Sequence, residues 1–137
     1  MNDLYNDDVL VWSEQQAELL RRRSASALDW DNLAEEIEDL GRSQLHAVES
    51  HFVQALLHDI KAAAWPLSRE VPHWRAEARG QRDDARAACT PSMAQRIDVA
   101  ALYRRALRRM PETIDEQPPL PVPETCPVTL DELLAGP

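Results

Sequence analysis

From Asp29 to Ala63 the chain runs 35 residues without a proline, and Ala, Leu, Glu and Gln, which lose little freedom in a helix, dominate that span. Asp29 is a good N-cap, and Asp31, Glu35 and Glu36 place negative charge near the positive end of a helix starting there. The pattern predicts one continuous helix about 50 Å long at 1.5 Å rise per residue. In a chain of 137 residues such a helix has to serve as the spine. Ile37, Gly41, Leu45, Val48, Phe52, Leu56 and Ile60 recur at spacings of three or four and define one stripe. Leu33, Leu40, Ala47 and Ala55 widen it. Gly41 costs about 1 kcal/mol relative to alanine in mid-helix, so it either permits a close helix contact or divides the spine. We read the spine as unbroken.

The remaining chain reads as helices and a tail. A first helix is expected to start after Asn6, with Asp7 and Asp8 in its first turn, and to run to about Arg23. Val9, Trp12, Leu19 and Leu20 form its stripe, and Arg21, Arg22 and Arg23 suit its C-terminal end. Pro72 opens a third helix that reaches Cys89 with a thin stripe of Trp74, Ala78, Ala85 and Cys89. Arg75, Arg79, Arg82 and Arg86 share one of its faces. Thr90 caps and Pro91 begins a fourth helix that continues to Met110, and Pro111 stops it. Antiparallel packing of the third helix on the spine pairs positions whose numbers sum to about 135. That register sets Arg75 against Asp59 and Ile60, and Arg86 against Glu49. Residues 111–128 are proline-rich and extended. Thr129-Leu130-Asp131-Glu132 is a capping box for a last short helix, with Gly136 after it.

The fold class expected is all-α: residues 1–110 form a helical bundle on one long central helix, and residues 111–137 a tail docking on it. The tail is expected to cross back over the stripe around Ile37, Leu40 and Gly41, where short connections leave too few covering helices. No alternation of β-branched residues indicates strands. No apolar run of about 18 residues indicates a membrane span, and the acidic start Met1-Asn2-Asp3 does not resemble a signal peptide. Cys89 and Cys126 form no Cys-x-x-Cys pair, which fits a cytoplasmic protein with free thiols. The net charge is −9, split as −9 over residues 1–60, +6 over 61–110 and −6 over 111–137. Such asymmetry fits either a basic binding face or acidic and basic halves that pair with each other.

Chemistry is harder to place. A carboxylate-bridged di-metal site in a bundle needs Glu-x-x-His on two helices, and only Glu70-Val71-Pro72-His73 occurs. His51 and His58 are about 10 Å apart along the helix, too far for one ion with ligands at about 2 Å. We assign no metal, no cofactor and no catalytic residue. His58, Lys61, Trp74 and Arg82 form the best candidate polar cluster, read first as a network that orients helices. Glu35, Glu36, Glu38 and Asp39 make an acidic cluster, with Arg21–Arg23 as its expected basic neighbours. Arg104, Arg105, Arg108 and Arg109 are candidate anion-binding residues. The acidic total and the few interleaved aromatics weigh against nucleic acid.

The runs Leu28-Asp29-Trp30-Asp31-Asn32-Leu33-Ala34-Glu35-Glu36-Ile37-Glu38, His58-x-x-Lys61 with Pro66, Trp74-Arg75 with Gln81-Arg82, Pro91-Ser92, and Pro123-Glu124-Thr125-Cys126-Pro127 span nearly the whole chain. Together they resemble a bacterial family, domain of unknown function number twenty-nine. The chain departs from that pattern at Ala62, where an aromatic commonly follows the lysine, and at Glu77-Ala78, where the family carries Thr-Ile. The resemblance implies a helical bundle and brings no activity. The expected function is a non-enzymatic protein-interaction or accessory module with an unknown protein partner, acting off the membrane as a monomer or homodimer. Two alternatives stand beside it: a small enzyme or ligand-binding protein using His58, Lys61, Trp74 and Arg82, and a nucleic-acid binder using the four arginines.

Overall fold

Capping and helical periodicity along the chain produce seven helices in a computed structural model that describes residues 3–135, apart from the side chain of Val9. They are α1 (Leu4–Asp7), α2 (Val9–Arg21), α3 (Trp30–Ala64), α4 (Val71–Ala88), α5 (Pro91–Arg96), α6 (Val99–Arg108) and α7 (Leu130–Leu134), with a 3₁₀ turn at Ala25–Ala27. The fold is all-α, built on one long helix and carrying an extended proline-rich tail with a short C-terminal helix. No strand occurs among the described residues. Val9 as a stripe residue and Gly136 as a stop lie outside what is described. The chain forms two compact units, Met1–Ser43 and Gln44–Pro137.

In the first unit the helix expected from Asn6 onward is broken in two. Asp8 leaves helical geometry and its carboxylate accepts the Val11 N–H at 3.1 Å, so α2 starts after it rather than before it. The helix also ends earlier than expected, because Arg23 adopts the left-handed conformation at φ 57°. Trp12 and Gln16 are the buried residues described in this unit. Both are tied to the start of α3: the Trp12 indole donates to Asp29 Oδ2 at 3.0 Å, and Gln16 Oε1 accepts the Asp29 N–H at 2.8 Å. Asn32 donates to the same carboxylate at 2.8 Å. Those side-chain donors hold the Asp29 carboxyl below its ordinary range, Asn32 contributing most. Tyr5 packs edge-on against Trp12, with ring centroids 4.8 Å apart.

α3 runs unbroken through Gly41. A methyl group there would meet nothing within 4 Å, so the glycine serves no close helix contact. In the second unit Val48, Phe52, Leu56 and Ile60 of α3 are buried with Ala85 of α4, Leu102, Tyr103 and Ala106 of α6, and Leu133 of α7. α4 opens with proline in its first turn and buries Trp74, Ala78 and Ala85, the stripe its sequence indicates. The expected fourth helix is instead two. Ile97 turns extended and is buried, and Asp98 caps a fresh helix by accepting the Ala101 N–H at 3.3 Å. A second N-cap placed beside an apolar residue ended the first helix.

The tail is held along the second unit. The Leu120 N–H reaches the Ala64 carbonyl at 2.9 Å, satisfying an acceptor left over at the end of α3. The Trp65 indole donates to the Gln117 carbonyl at 2.9 Å, and the Tyr103 hydroxyl to the Pro123 carbonyl at 2.5 Å. Just before these points Ile114 and Gln117 exchange backbone hydrogen bonds around Asp115 and Glu116, both left-handed, in a primed hairpin turn. The Thr129–Glu132 capping box forms and starts α7. Ile37 and Leu40, on the stripe the tail was expected to cross, are 69% and 63% exposed.

Gly41→Ala is expected to stabilise the protein by about 0.5–1 kcal/mol, since the open position keeps only glycine's helix penalty. A urea midpoint that fails to rise at constant slope would contradict it. Leu133→Ala, which empties a side chain 1% exposed, is expected to cost about 2–5 kcal/mol in the same measurement.

Candidate functional site

The polar cluster sits where the last turns of α3 meet α4. Lys61 and Trp74 are paired directly: Nζ lies 5.3 Å from the centroid of the buried indole, within cation–π range. Arg82 does not join them and instead donates to the Asp59 carboxylate. His58 is turned to its own helix, its Nδ1 2.7 Å from the Gln54 carbonyl. A carbonyl can only accept, so Nδ1 carries a proton. The four residues marked by sequence thus fall into separate interactions, and the residue missed is Asp59. Its signal lay in the antiparallel register, which set an arginine against it.

That register is bracketed by two contacts, Asp59 with Arg82 and His51 Nδ1 with Gln81 Oε1 at 2.7 Å. The expected Arg86–Glu49 pair does not form. Arg86 turns to Asp83 on its own helix and donates to the Ala135 carbonyl at 2.8 Å, where the negative end of α7 attracts a cation. Asp59 is subject to opposing effects. Burial pushes its carboxyl above the ordinary range, outweighing the lowering by Arg82 and Arg75 nearby. Arg82 Nε is buried beside it without a hydrogen-bond partner.

The recess next to this pair is small. It encloses about 110 Å³ between Asp59, Ile60, Tyr103 and Pro123, below the roughly 300 Å³ at which small-molecule pockets begin. A larger apolar groove of about 280 Å³ lies at the end of α3 between Trp65, Pro66, Leu67, Ile114, Pro118 and Leu120. Beside it a more polar hollow of about 470 Å³ is lined by Arg69, Glu70 and Asp115 with Leu67, Ser68 and Ile114. Neither receives the four cluster residues. Cys89 and Cys126 are free and half-buried, and burial pushes the Cys89 thiol up, away from a reactive thiolate. Among the described residues no three His, Cys, Asp or Glu side chains lie together as metal ligands.

The acidic cluster is partly satisfied inside the first unit. Tyr5 donates to Glu36 Oε1 at 2.6 Å, and that bond first of all pushes its own hydroxyl up to about 12. Arg42 pairs with Asp39 and, at 3.6 Å, with Glu38. This corrects the expected role of Arg21–Arg23, because Arg21 and Arg22 pair with Glu18. Arg42 lay one turn beyond Glu38 and Asp39, a local spacing that could have been read. Arg104, Arg108 and Arg109 are exposed and Arg105 half-buried. None of the four forms an ion pair among the described residues.

What emerges is an all-helical protein in which no described helix is long and apolar enough to cross a membrane. The chain belongs to the family described as Domain of unknown function DUF29, whose model matches residues 4–136. It is similar in structure to an alpha-helical protein of unknown function from Rhodospirillum rubrum, with a TM-score of 0.70 and 31% identity over 98% of this chain and 90% of that one. A comparison with curated proteins finds no match.

Asp59 offers a direct check on the geometry. A carboxyl raised in the folded state binds its proton more tightly there than in the unfolded chain. Its contribution therefore favours folding most at low pH and fades as pH rises through the folded pKa. Carboxyl NMR is expected to show Asp59 titrating above 3.8, and higher still in Arg82→Met, which removes the main opposing charge. A normal or depressed value in both would contradict this balance.

Proposed function

We propose that the protein is a non-enzymatic interaction or accessory module that binds a partner protein through the apolar surface of its first unit. One observation carries this reading. Of the large apolar side chains that stand exposed, Leu10, Val11, Leu20, Trp30, Ile37 and Leu40 belong to Met1–Ser43, against Leu67 and Leu120 in the second unit. Scattered exposed apolar residues need no explanation, but a contiguous exposed ridge marks an interaction surface. Trp30, Ile37 and Leu40, with half-buried Leu33, follow at helical spacings on α3.

The enzymatic alternative has less support. His58 and Arg82 are engaged by Gln54 and Asp59, and Lys61 by the Trp74 ring. The anion-binding alternative draws on Arg104, Arg105, Arg108 and Arg109, which form no ion pair among the described residues, against a net charge of −9. Half-buried free cysteines support a reducing compartment such as the cytoplasm.

The test is affinity capture from the native host with the wild-type chain and with Ile37→Glu/Leu40→Glu, both changes at exposed positions. A captured protein is expected to fall at least about tenfold on the double variant, as for loss of central interface anchors, with circular dichroism unchanged. An identical set of captured proteins would overturn the proposal. Retention by nucleic acid that salt abolishes would favour the arginine reading instead.

A further inference from the structure

We infer that the groove at the end of α3 binds a free α-amino acid, its apolar side chain in the groove and its zwitterionic head in the polar hollow beside it. This site goes beyond the interaction reading above and lies wholly in the second unit. Its two parts are continuous. The apolar groove of about 280 Å³ and the polar hollow of about 470 Å³ share Leu67, Ser68, Ile114 and Asp115. The hollow alone falls within the roughly 300–1,000 Å³ of small-molecule pockets, which join an apolar lining to a few polar groups that fix orientation.

The walls are held in place by the protein itself. The Trp65 indole donates to the Gln117 carbonyl at 2.9 Å and the Leu120 N–H to the Ala64 carbonyl at 2.9 Å, so the tail is fixed on both sides of Pro118-Pro119. Asp115 and Glu116 hold φ of 49° and 63° in a turn that favours glycine at its second central position. Left-handed backbone at residues other than glycine is costly and gathers at ligand sites. Here it sets Asp115 on the wall common to both parts. Leu67 stands on the same shared rim and is 97% exposed, so an apolar side chain in the groove shields it from water.

Charge selects the ligand. Arg69, Glu70 and Asp115 line the polar hollow, and none of the three forms an ion pair among the described residues. A cation and two anions thus border one space without neutralising one another. An amine alone would leave Arg69 unmatched, and a carboxylate alone would leave both acids unmatched. An α-amino acid carries both charges on one carbon. Its carboxylate suits the planar fork of the guanidinium, and its ammonium suits the acids.

The experiment follows the amide NMR signals of the full chain on titration with L-leucine and three analogues. Isoamylamine keeps the side chain and the amine but lacks the carboxylate. Isocaproate keeps the side chain and the carboxylate but lacks the amine. Serine keeps the head and lacks the apolar side chain. Leucine is expected to shift the signals of Leu67, Arg69 and Asp115 saturably and to bind at least about tenfold more tightly than each analogue. Arg69→Met is expected to erase the advantage of leucine over isoamylamine, and Glu70→Gln/Asp115→Asn its advantage over isocaproate. All three positions are exposed, and asparagine tolerates the left-handed backbone of Asp115, so circular dichroism is expected to stay unchanged.

Absence of saturable shifts with leucine would overturn the inference, as would binding of any analogue as tight as that of leucine. So would leucine affinity unchanged in both charge variants, or shifts confined to residues away from Leu67, Arg69 and Asp115. The capture experiment with Ile37→Glu/Leu40→Glu bears on the first unit alone, so either reading can fail without the other.

Discussion

Removal of one face of α3 from water, between Val48 and Ile60, is the interaction on which the second unit depends. Each large side chain on that face contributes about 1.5–3 kcal/mol when fully buried, and α4, α6 and α7 all supply residues to cover it. The proline-rich tail follows from the same demand. It reaches from the end of α6 to α7 with no helix or strand of its own beyond the Ile114–Gln117 turn, and prolines leave it few amide donors. Where a donor remains, at Leu120, it caps the exposed carbonyl end of α3. Tyr103 and Trp65 fasten the passing carbonyls of Pro123 and Gln117. Leu133 then completes the core from a helix started by its own capping box.

The first unit is held together differently. With Trp12 and Gln16 as its described buried side chains, hydrogen bonds converging on Asp29 do much of the organising. That residue caps nothing remote; it gathers the Trp12 indole, the Gln16 amide oxygen and the Asn32 amide at the point where α3 begins. Each such bond stabilises by about 1 kcal/mol, more where a charged group accepts it. A segment of this size buries too little apolar surface to leave it with a large margin. In the same segment Trp30, Ile37 and Leu40 stand exposed.

At the α3–α4 contact, polar side chains mostly satisfy one another. Lys61 spends its charge on the face of Trp74, and Arg82 on Asp59. Burial raises the Asp59 carboxyl against the opposing pull of two nearby guanidinium groups. Half-buried ion pairs of this kind are weak sources of net stability. The pair sits beside a recess too small for an ordinary ligand. The larger hollows at the end of α3 are lined by other residues.

The sequence by itself determined the class of fold, the span and continuity of α3, the buried stripe of α4, the capping box of α7 and membership in its family. Each of these rests on periodicity, on a cap within a few residues, or on motifs read directly. Tertiary structure decided the rest. Arg86 had an acid opposite in the expected register, yet exposed ion pairs differ by only about 0–1 kcal/mol, and the end of α7 supplied a better-placed acceptor. Asp98 was visible as a possible cap, but whether the chain would break there depended on Ile97 finding a place in the core. His58, Lys61, Trp74 and Arg82 could be assigned to one neighbourhood and not to partners, because a fraction of a helical turn separates a shared site from the three distinct contacts they make. Helical spacing identified the ridge through Ile37 and Leu40 as apolar. Whether anything covers such a ridge is settled by where distant segments pack, and no local pattern encodes that.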